Sequence, residues 1–524
     1  MQDINAPPIL LDRHITLDDA CDVIGGTRAI ALSDAARARC GAAFARLRRV
    51  IEEKRQVYGI TTGFGPLANR LIDPTDTIQL QQNLVNHLAT GTGPPLRWDQ
   101  ARAMVLARVL SLVQGASGVR PETIDLLIAV LNAPIAPVIP SRGTVGASGD
   151  LTPLAHLVLC LQGRGAVMDK SGRRLTGREA LTAIGQDPLD LRHRDALALV
   201  NGTSAMTGIA VLNAQAMQRA IDWSISISAV LAECLGARTE AWHAAFSDLR
   251  PHAGQVRAAA ALRKRVDGSN CVQRASLVET TLDADVSDPG RARAAQDAYS
   301  LRCAPQVIGA VWDTVAWHNQ VVATELGSVT DNPIFPVDAD MPALHGGNFM
   351  GTHVALASDA AANAVGVLAG LAERQIARIA DEGLNDGLPA FLSGGAVGLN
   401  AGFMGAQVTA TALLGELRAI GPASVQSIST NAANQDVVSQ GTIAARFLDA
   451  KLGLLFEILA IAGLAAAQAM DLRLRAGQDG FSSHARQFLK SIRRHSATVE
   501  GDRPLATDIQ DVAAIMCETE PTRV

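Results

Sequence analysis

The stretch Leu448–Leu474, LDAKLGLLFEILAIAGLAAAQAMDLRL, reads as one long, Ala-rich amphipathic helix. Its most apolar part, Ile458–Ala467, lies between Glu457 and Gln468 and is too short to span a bilayer. An Ala-rich face of this length suits close packing against other helices. Four further stretches have the same character: Ala205–Ala232, Asp297–Leu326, Ser358–Asp381 and Ala406–Arg418. Most exceed the mean helix of a globular protein. Together they predict a mainly α chain built around a bundle of long helices.

Between these stretches lie turns rich in Gly, Asn and Pro: Thr330-Asp331-Asn332-Pro333, His345-Gly346-Gly347-Asn348, and Asn431 to Asp436. Loops at the ends of rigid helices are where reactive groups concentrate. Toward the N-terminus the helices become shorter. Leu106, Val109, Leu110 and Val113 recur at helical spacing, as do Ile124, Leu127, Ile128 and Leu131. Pro121 suits a first helical position and Pro134 a stop, so a helical hairpin is expected. Ile135–Pro140 reads as extended, Gly143–Gly149 as a loop, and the apolar run after Pro153 as a helix. Val167–Leu175, turning at Lys170-Ser171-Gly172, is the best strand candidate in this half. Sheet content is expected to be minor, and no short repeat or low-complexity linker is visible.

Composition narrows the function. Of the 524 residues, 48% are hydrophobic and 19% charged, with 46 Lys plus Arg against 51 Asp plus Glu for a net charge of −5. The chain therefore lacks the basic excess of a general nucleic-acid binder, and it is too apolar to be disordered. Seven scattered cysteines without a Cys-x-x-Cys pair indicate free thiols in a reducing compartment, with no metal site. Met1–Leu11 shows no secretory pattern, so a cytoplasmic protein without a membrane partner is expected.

The sequence has no His-Glu-x-x-His, no phosphate loop ending in Gly-Lys-Ser/Thr, and no Gly-x-Ser-x-Gly elbow. What remains is Gly143-Thr144-Val145-Gly146-Ala147-Ser148-Gly149-Asp150-Leu151. Its glycine spacing suits a phosphate cradle, but Asp150 would repel an anion and no lysine follows. A second reading fits the residue types better. The nitrogen of Gly149, flanked by small residues, can attack the Ala147 carbonyl and close a five-membered ring. Loss of one water from that ring and another from the Ser148 side chain leaves an exocyclic methylidene, an electrophile made without a bound cofactor. Ala-Ser-Gly alone is weak evidence, because Ala116-Ser117-Gly118 repeats it where a helix terminator is expected.

The longer context decides. Gly143–Leu151 with Thr152-Pro153-Leu154-Ala155-His156 resembles the signature of the aromatic amino acid ammonia-lyases, the histidine, phenylalanine and tyrosine enzymes. The resemblance extends through Tyr58-Gly59-Ile60-Thr61-Thr62-Gly63-Phe64-Gly65, Leu199-Val200-Asn201-Gly202-Thr203 and Gln296-Asp297-Ala298-Tyr299-Ser300-Leu301-Arg302. It continues in Thr330-Asp331-Asn332-Pro333, His345-Gly346-Gly347-Asn348-Phe349 and Asn434-Gln435-Asp436. It implies a long-helix bundle of the ammonia-lyase and fumarase-like type. A smaller N-terminal domain with minor β, residues 1–205, would bear the reactive loop, and 206–524 would form the central and C-terminal bundle. It also implies a homotetramer with shared active sites, and a 4-methylidene-imidazol-5-one (MIO) formed from Ala147, Ser148 and Gly149, with no external cofactor and no metal.

Residue by residue, the resemblance implies that Tyr58 is the base, with Tyr299 a second catalytic tyrosine. A β-hydrogen is too weakly acidic for any side chain to remove unaided, and a phenol with pKa about 10 is protonated at neutral pH. The chemistry therefore requires both an electrophile that activates the substrate and surroundings that favour the phenolate. Arg302 matches the carboxylate clamp, a role that suits a guanidinium fork better than an ammonium. Asn201 and Gln296 are expected to position electrophile or substrate, Asn332 to assist the carboxylate, and Phe349 to line the pocket. Gly65, Leu151, Asn431 and Gln435 complete the expected binding residues.

Substrate choice in the family resembles a two-residue code that falls here on His87-Leu88. Ser-His marks histidine lyases, Phe-Leu phenylalanine lyases and His-Leu tyrosine lyases. Gln435 stands where histidine lyases place a glutamate. The expected reaction is elimination of ammonia from L-tyrosine to trans-p-coumarate, with lesser activity on L-phenylalanine. The alternatives are a phenylalanine ammonia-lyase, a tyrosine 2,3-aminomutase on the same electrophile, and a catalytically dead helical scaffold.

Overall fold

The computed structural model describes residues 7–274 and 296–521. It is mainly α, with 58% helix and 7% strand, as the Ala- and Leu-rich composition requires. Two compact units emerge. One comprises the described part of Met1–Asn213 with His318–Asp359 and Pro422–Phe447; the other comprises Ala214–Trp317, Ala360–Gly421 and Leu448–Val524, again as far as described. The expected break at 205/206 lies near the first of these boundaries, but each unit also draws on later segments.

The first unit is organised on helix Trp98–Leu112, in which every residue from Gln100 onward is buried. A helix buried all round is a core element. Helix Pro121–Asn132 packs against it, opened by Pro121 and closed at Ala133, which gives the expected hairpin. Arg102, within the central helix, is buried, yet each of its donors finds a carbonyl. They reach Val23 and Ile24 at the end of helix Leu17–Gly25, Leu131 and Ala133 at the end of Pro121–Asn132, and Ile135, at 2.6–3.0 Å. One guanidinium thus ties together the carbonyls at two helix C-termini. Burial lowers its pKa to about 10, so it remains charged.

Strands Ala166–Asp169 and Arg174–Thr176 form the expected antiparallel hairpin, extended by Ile135–Pro137 into a three-stranded sheet. A parallel pair, Ile9–Leu11 with Ile30–Leu32, was not anticipated, because three residues are too few to show alternation.

The second unit is a helical bundle with its own core, in which Ala460, Ala462, Ala465, Ala466 and Ala467 are almost fully buried. Inside it, buried Gln468 donates to the carbonyls of Leu392 and Val499 and accepts from Val499 N. The single helix expected over 297–326 is interrupted. A short turn, Tyr299–Arg302, ends at Cys303 and helix Ala304–Leu326 starts anew. Pro305, which has no N–H to give, sits in the new first turn, where none is needed. Thr352–Ala380 and Gly441–Arg475 are long and apolar enough to cross a membrane, a wider span than Ile458–Ala467 alone suggests, but their apolar windows are 67% and 83% buried within the protein.

Candidate active site

The glycine-rich loop ends one residue before helix Leu151–Leu161. Gly149 has φ +72°, and a Cβ there would lie 2.1 Å from the Gly202 carbonyl oxygen, so no other residue fits. Asp150 N donates to that same oxygen at 2.7 Å. The Asp150 carboxylate, fully buried, accepts from Met206 N at 2.9 Å and from the Thr442 hydroxyl. Burial raises its pKa to about 6, against the lowering effect of these bonds. The loop is therefore anchored from behind.

Two side-chain amides reach Ser148, each held by a second residue. Asn201 Nδ2 donates to the Ser148 carbonyl at 2.9 Å, while its own Oδ1 accepts from Asn332 N at 2.7 Å. Gln435 Nε2 donates to Ser148 Oγ at 3.1 Å, and Asn431 Nδ2 to Gln435 Oε1 at 2.7 Å. Nearby, Tyr58 Oη accepts from Gly65 N at 2.9 Å, and Tyr58 N donates to His345 Nε2 at 3.2 Å. A donor aimed at the phenol oxygen becomes a charge-assisted bond when that oxygen is ionised.

These groups line a cleft of about 710 Å³ in the first unit. Tyr58, Gly65, His87, Leu88, Ala147, Ser148 and Leu151 reach it from the N-terminal segments; Asn201, Asn332, Phe349, Asn431 and Gln435 reach it from the later ones. Gly149 lies behind, in the loop. Sequence reasoning missed Leu84, which shares a helix face with His87 and Leu88 at i, i+3 and i+4, and Leu197, for which the sequence holds no signal. His87 Nδ1 is 2.9 Å from the Asn83 carbonyl. A carbonyl only accepts, so Nδ1 carries the proton and Nε2 of the neutral ring is an acceptor.

Among the described residues, the cleft lining contains no arginine or lysine. Arg302, Tyr299 and Gln296 belong to the second unit. There the Arg302 guanidinium stacks over the Tyr299 ring at 4.5 Å, on one side of their turn as their spacing requires. Tyr299 is 70% exposed and lines a separate cleft of about 750 Å³.

The loop geometry fits the self-made imidazolone. The backbones of Ala147 and Gly149 pair with each other, which brings together the two residues whose atoms would form the ring bond. Space for a side chain at Gly149 is lacking, and donors already address the Ser148 carbonyl and hydroxyl.

Known proteins resemble the chain over most of its length. A family model, aromatic amino acid lyase, matches residues 15–494. The tyrosine ammonia-lyase of Cereibacter sphaeroides is 60% identical over 516 residues, 98% of each chain. The MIO-dependent tyrosine 2,3-aminomutase of Streptomyces globisporus is 41% identical over 477 residues, 90% of this chain and 87% of that protein. A crystal structure of tyrosine aminomutase from the same organism superposes with a TM-score of 0.93 at 37% identity, covering 98% of this chain and 97% of that one. With the glycine-rich loop, the amides near Ser148 and the full-length match all in place, this chain belongs to the aromatic amino acid lyases, carbon–nitrogen lyases whose substrates are amino acids, small molecules.

Proposed function

We propose that the protein is a tyrosine ammonia-lyase that converts L-tyrosine to trans-p-coumarate and ammonia, with lesser activity on L-phenylalanine. The observation that carries the substrate is His87. Its Nδ1 is committed to Asn83, and the Nε2 lone pair is an acceptor for a phenol O–H in a cleft whose apolar lining includes Leu84, Leu88 and Leu197. The relative from Cereibacter sphaeroides supports the same reading.

In this reading Tyr58, as the phenolate, removes the β-proton, and the Gly65 N–H holds its oxygen in place and stabilises the charge it bears before the transfer. Ala147, Ser148 and Gly149 would supply, as an imidazolone, the electrophile that activates the substrate. Asn201 would hold that ring's oxygen, the present Ser148 carbonyl, and is itself fixed by Asn332 N. Phe349 and Leu151 bound the space for the substrate. The substrate carboxylate needs a cation, which the cleft lacks. Arg302 of a second copy, with Tyr299 and Gln296, meets that need in a homotetramer with shared sites.

Product analysis tests the reaction. Purified protein with L-tyrosine should yield p-coumarate and ammonia; β-tyrosine as the main product would overturn the lyase in favour of the aminomutase, the reading that the 41% identical relative favours. His87→Phe tests the substrate. Sites built to bond a hydroxyl can reject the analogue lacking it by up to ~10⁴-fold. A histidine at the exposed end of a helix should discriminate less, and its replacement should reverse the preference toward phenylalanine. An unchanged ratio of kcat/KM values would remove His87 from the assignment.

A further inference from the structure

Asn431, Ala432 and Ala433 have φ of +52°, +54° and +59°. Three successive non-glycine residues in the left-handed region are sterically strained. Such strain survives only where the surroundings impose it, and it concentrates at functional sites. Here the turn is closed by paired backbone bonds, Thr430 N to Gln435 O at 3.0 Å and Gln435 N to Thr430 O at 3.3 Å, with Asn434 N to Asn431 O at 3.0 Å inside. Its geometry brings Asn431 back onto Gln435, whose amide then reaches Ser148 Oγ. This contact links residues 287 positions apart.

We propose that Gln435, held by Asn431, is a positioning residue for maturation: it selects the rotamer of Ser148 from which the side chain is dehydrated. The inference rests on the imidazolone reading above. Maturation has two redox-neutral parts. In ring closure a bond forms between Gly149 N and Ala147 C, and the Ala147 oxygen leaves with the amide hydrogens of Gly149 and Ser148 as one water. In the second part the Ser148 Cα–H and Cβ–O bonds break, the C–H electron pair becomes the second bond of Cα=Cβ, and the hydroxyl leaves with that proton as another water. This elimination needs the Cβ–O bond aligned with the breaking Cα–H bond. A free serine side chain divides its time among three staggered rotamers. A hydrogen bond from a braced amide holds one of them.

The test follows intact mass, with peptide mapping across residues 147–149, over time after cell-free synthesis of the full chain. Parent, Gln435→Leu and Gln435→Glu are compared, with helicity measured to show that each folds. The parent should lose two waters. Gln435→Leu should accumulate a species lacking one water, ring closed and Ser148 hydroxyl retained, and reach the two-water state several-fold more slowly. Gln435→Glu, which keeps a bond to both Asn431 and Ser148, should mature like the parent. Full maturation of Gln435→Leu at the parent rate would overturn the proposal. So would a folded Gln435→Leu that loses neither water, which would assign Gln435 to loop shape, or a Gln435→Glu as slow as the Leu variant. A parent that loses no water would refute the imidazolone reading instead.

Discussion

Two turns meet at Ser148, and both use left-handed backbone. In the first, Gly143, Gly146 and Gly149 occupy the positive-φ positions; in the second they fall to Asn431, Ala432 and Ala433. The first is packed so tightly that glycine is required, since a Cβ at Gly146 would strike Ser439 Oγ at 2.2 Å and one at Gly149 the Gly202 oxygen at 2.1 Å. The second is exposed, and its residues retain their side chains. Glycine solves a problem of space in one turn. In the other, a side-chain amide is needed, so the backbone strain is tolerated.

Exchanging the residues between the turns should therefore have opposite effects. Gly149→Ala adds a methyl that must displace a backbone oxygen in a left-handed residue. It is expected to destabilise by about 4 kcal/mol, overpacking and φ strain combined, and to abolish the two-water mass deficit. A Gly149→Ala protein that unfolds and matures like the parent would show that the loop has room to relax.

The anchoring of the two turns also differs, because only the first has a buried carboxylate behind it. Asp150 has its folded pKa raised by burial to about 6, above the ordinary 3.8. The folded state therefore binds the proton more tightly than the unfolded chain. The associated stability is fully present below pH 3.8 and is lost as pH rises through about 6. Relative to Asp150→Asn, the parent should lose about 3 kcal/mol of stability between these limits. Denaturant midpoints of both proteins at several pH values would show it, and parallel curves would place the proton elsewhere.

The smallest effect belongs to Ala433→Gly. Relief of left-handed strain, roughly 1–2 kcal/mol, is offset by about 0.5–1 kcal/mol of extra backbone entropy in the unfolded chain. A gain of up to about 1 kcal/mol in thermal or chemical unfolding should result. A clear loss would mean that the alanine methyl makes contacts worth more than its strain.

The same contrast explains what could be read in advance. The glycine loop stood out because glycine is what such backbone demands, and the bundle because Ala- and Leu-rich periodicity persists over many turns. Helix Pro121–Asn132 was bounded by prolines at both ends. The turn Asn431 to Asp436 was legible as a turn from its asparagines, but Asn-Ala-Ala holds no glycine to announce that its backbone is left-handed. The restart of the helix at Ala304 and the strand Ile9–Leu11 were equally silent. Leu197 was invisible as a site residue because its place in the cleft depends on contacts remote in sequence.

By itself the sequence determined that this is a mainly helical chain, and its resemblance to a known family marked Ala147-Ser148-Gly149 as the candidate electrophile and His87 as the candidate reader of the substrate. The helices reside in composition and periodicity and the loop in short-range chemistry, which neighbouring residues impose on one another, whereas the reading of His87 came from the resemblance alone. Only the tertiary structure decided that Gln435 reaches Ser148, that Asn201 and Asn332 act as one chain of bonds, and that the cleft has no cation of its own among the described residues. Each of these joins residues more than a hundred positions apart, or counts what a closed surface leaves out. Such facts arise from packing, where a hydrogen bond forms because the rest of the fold has fixed both partners.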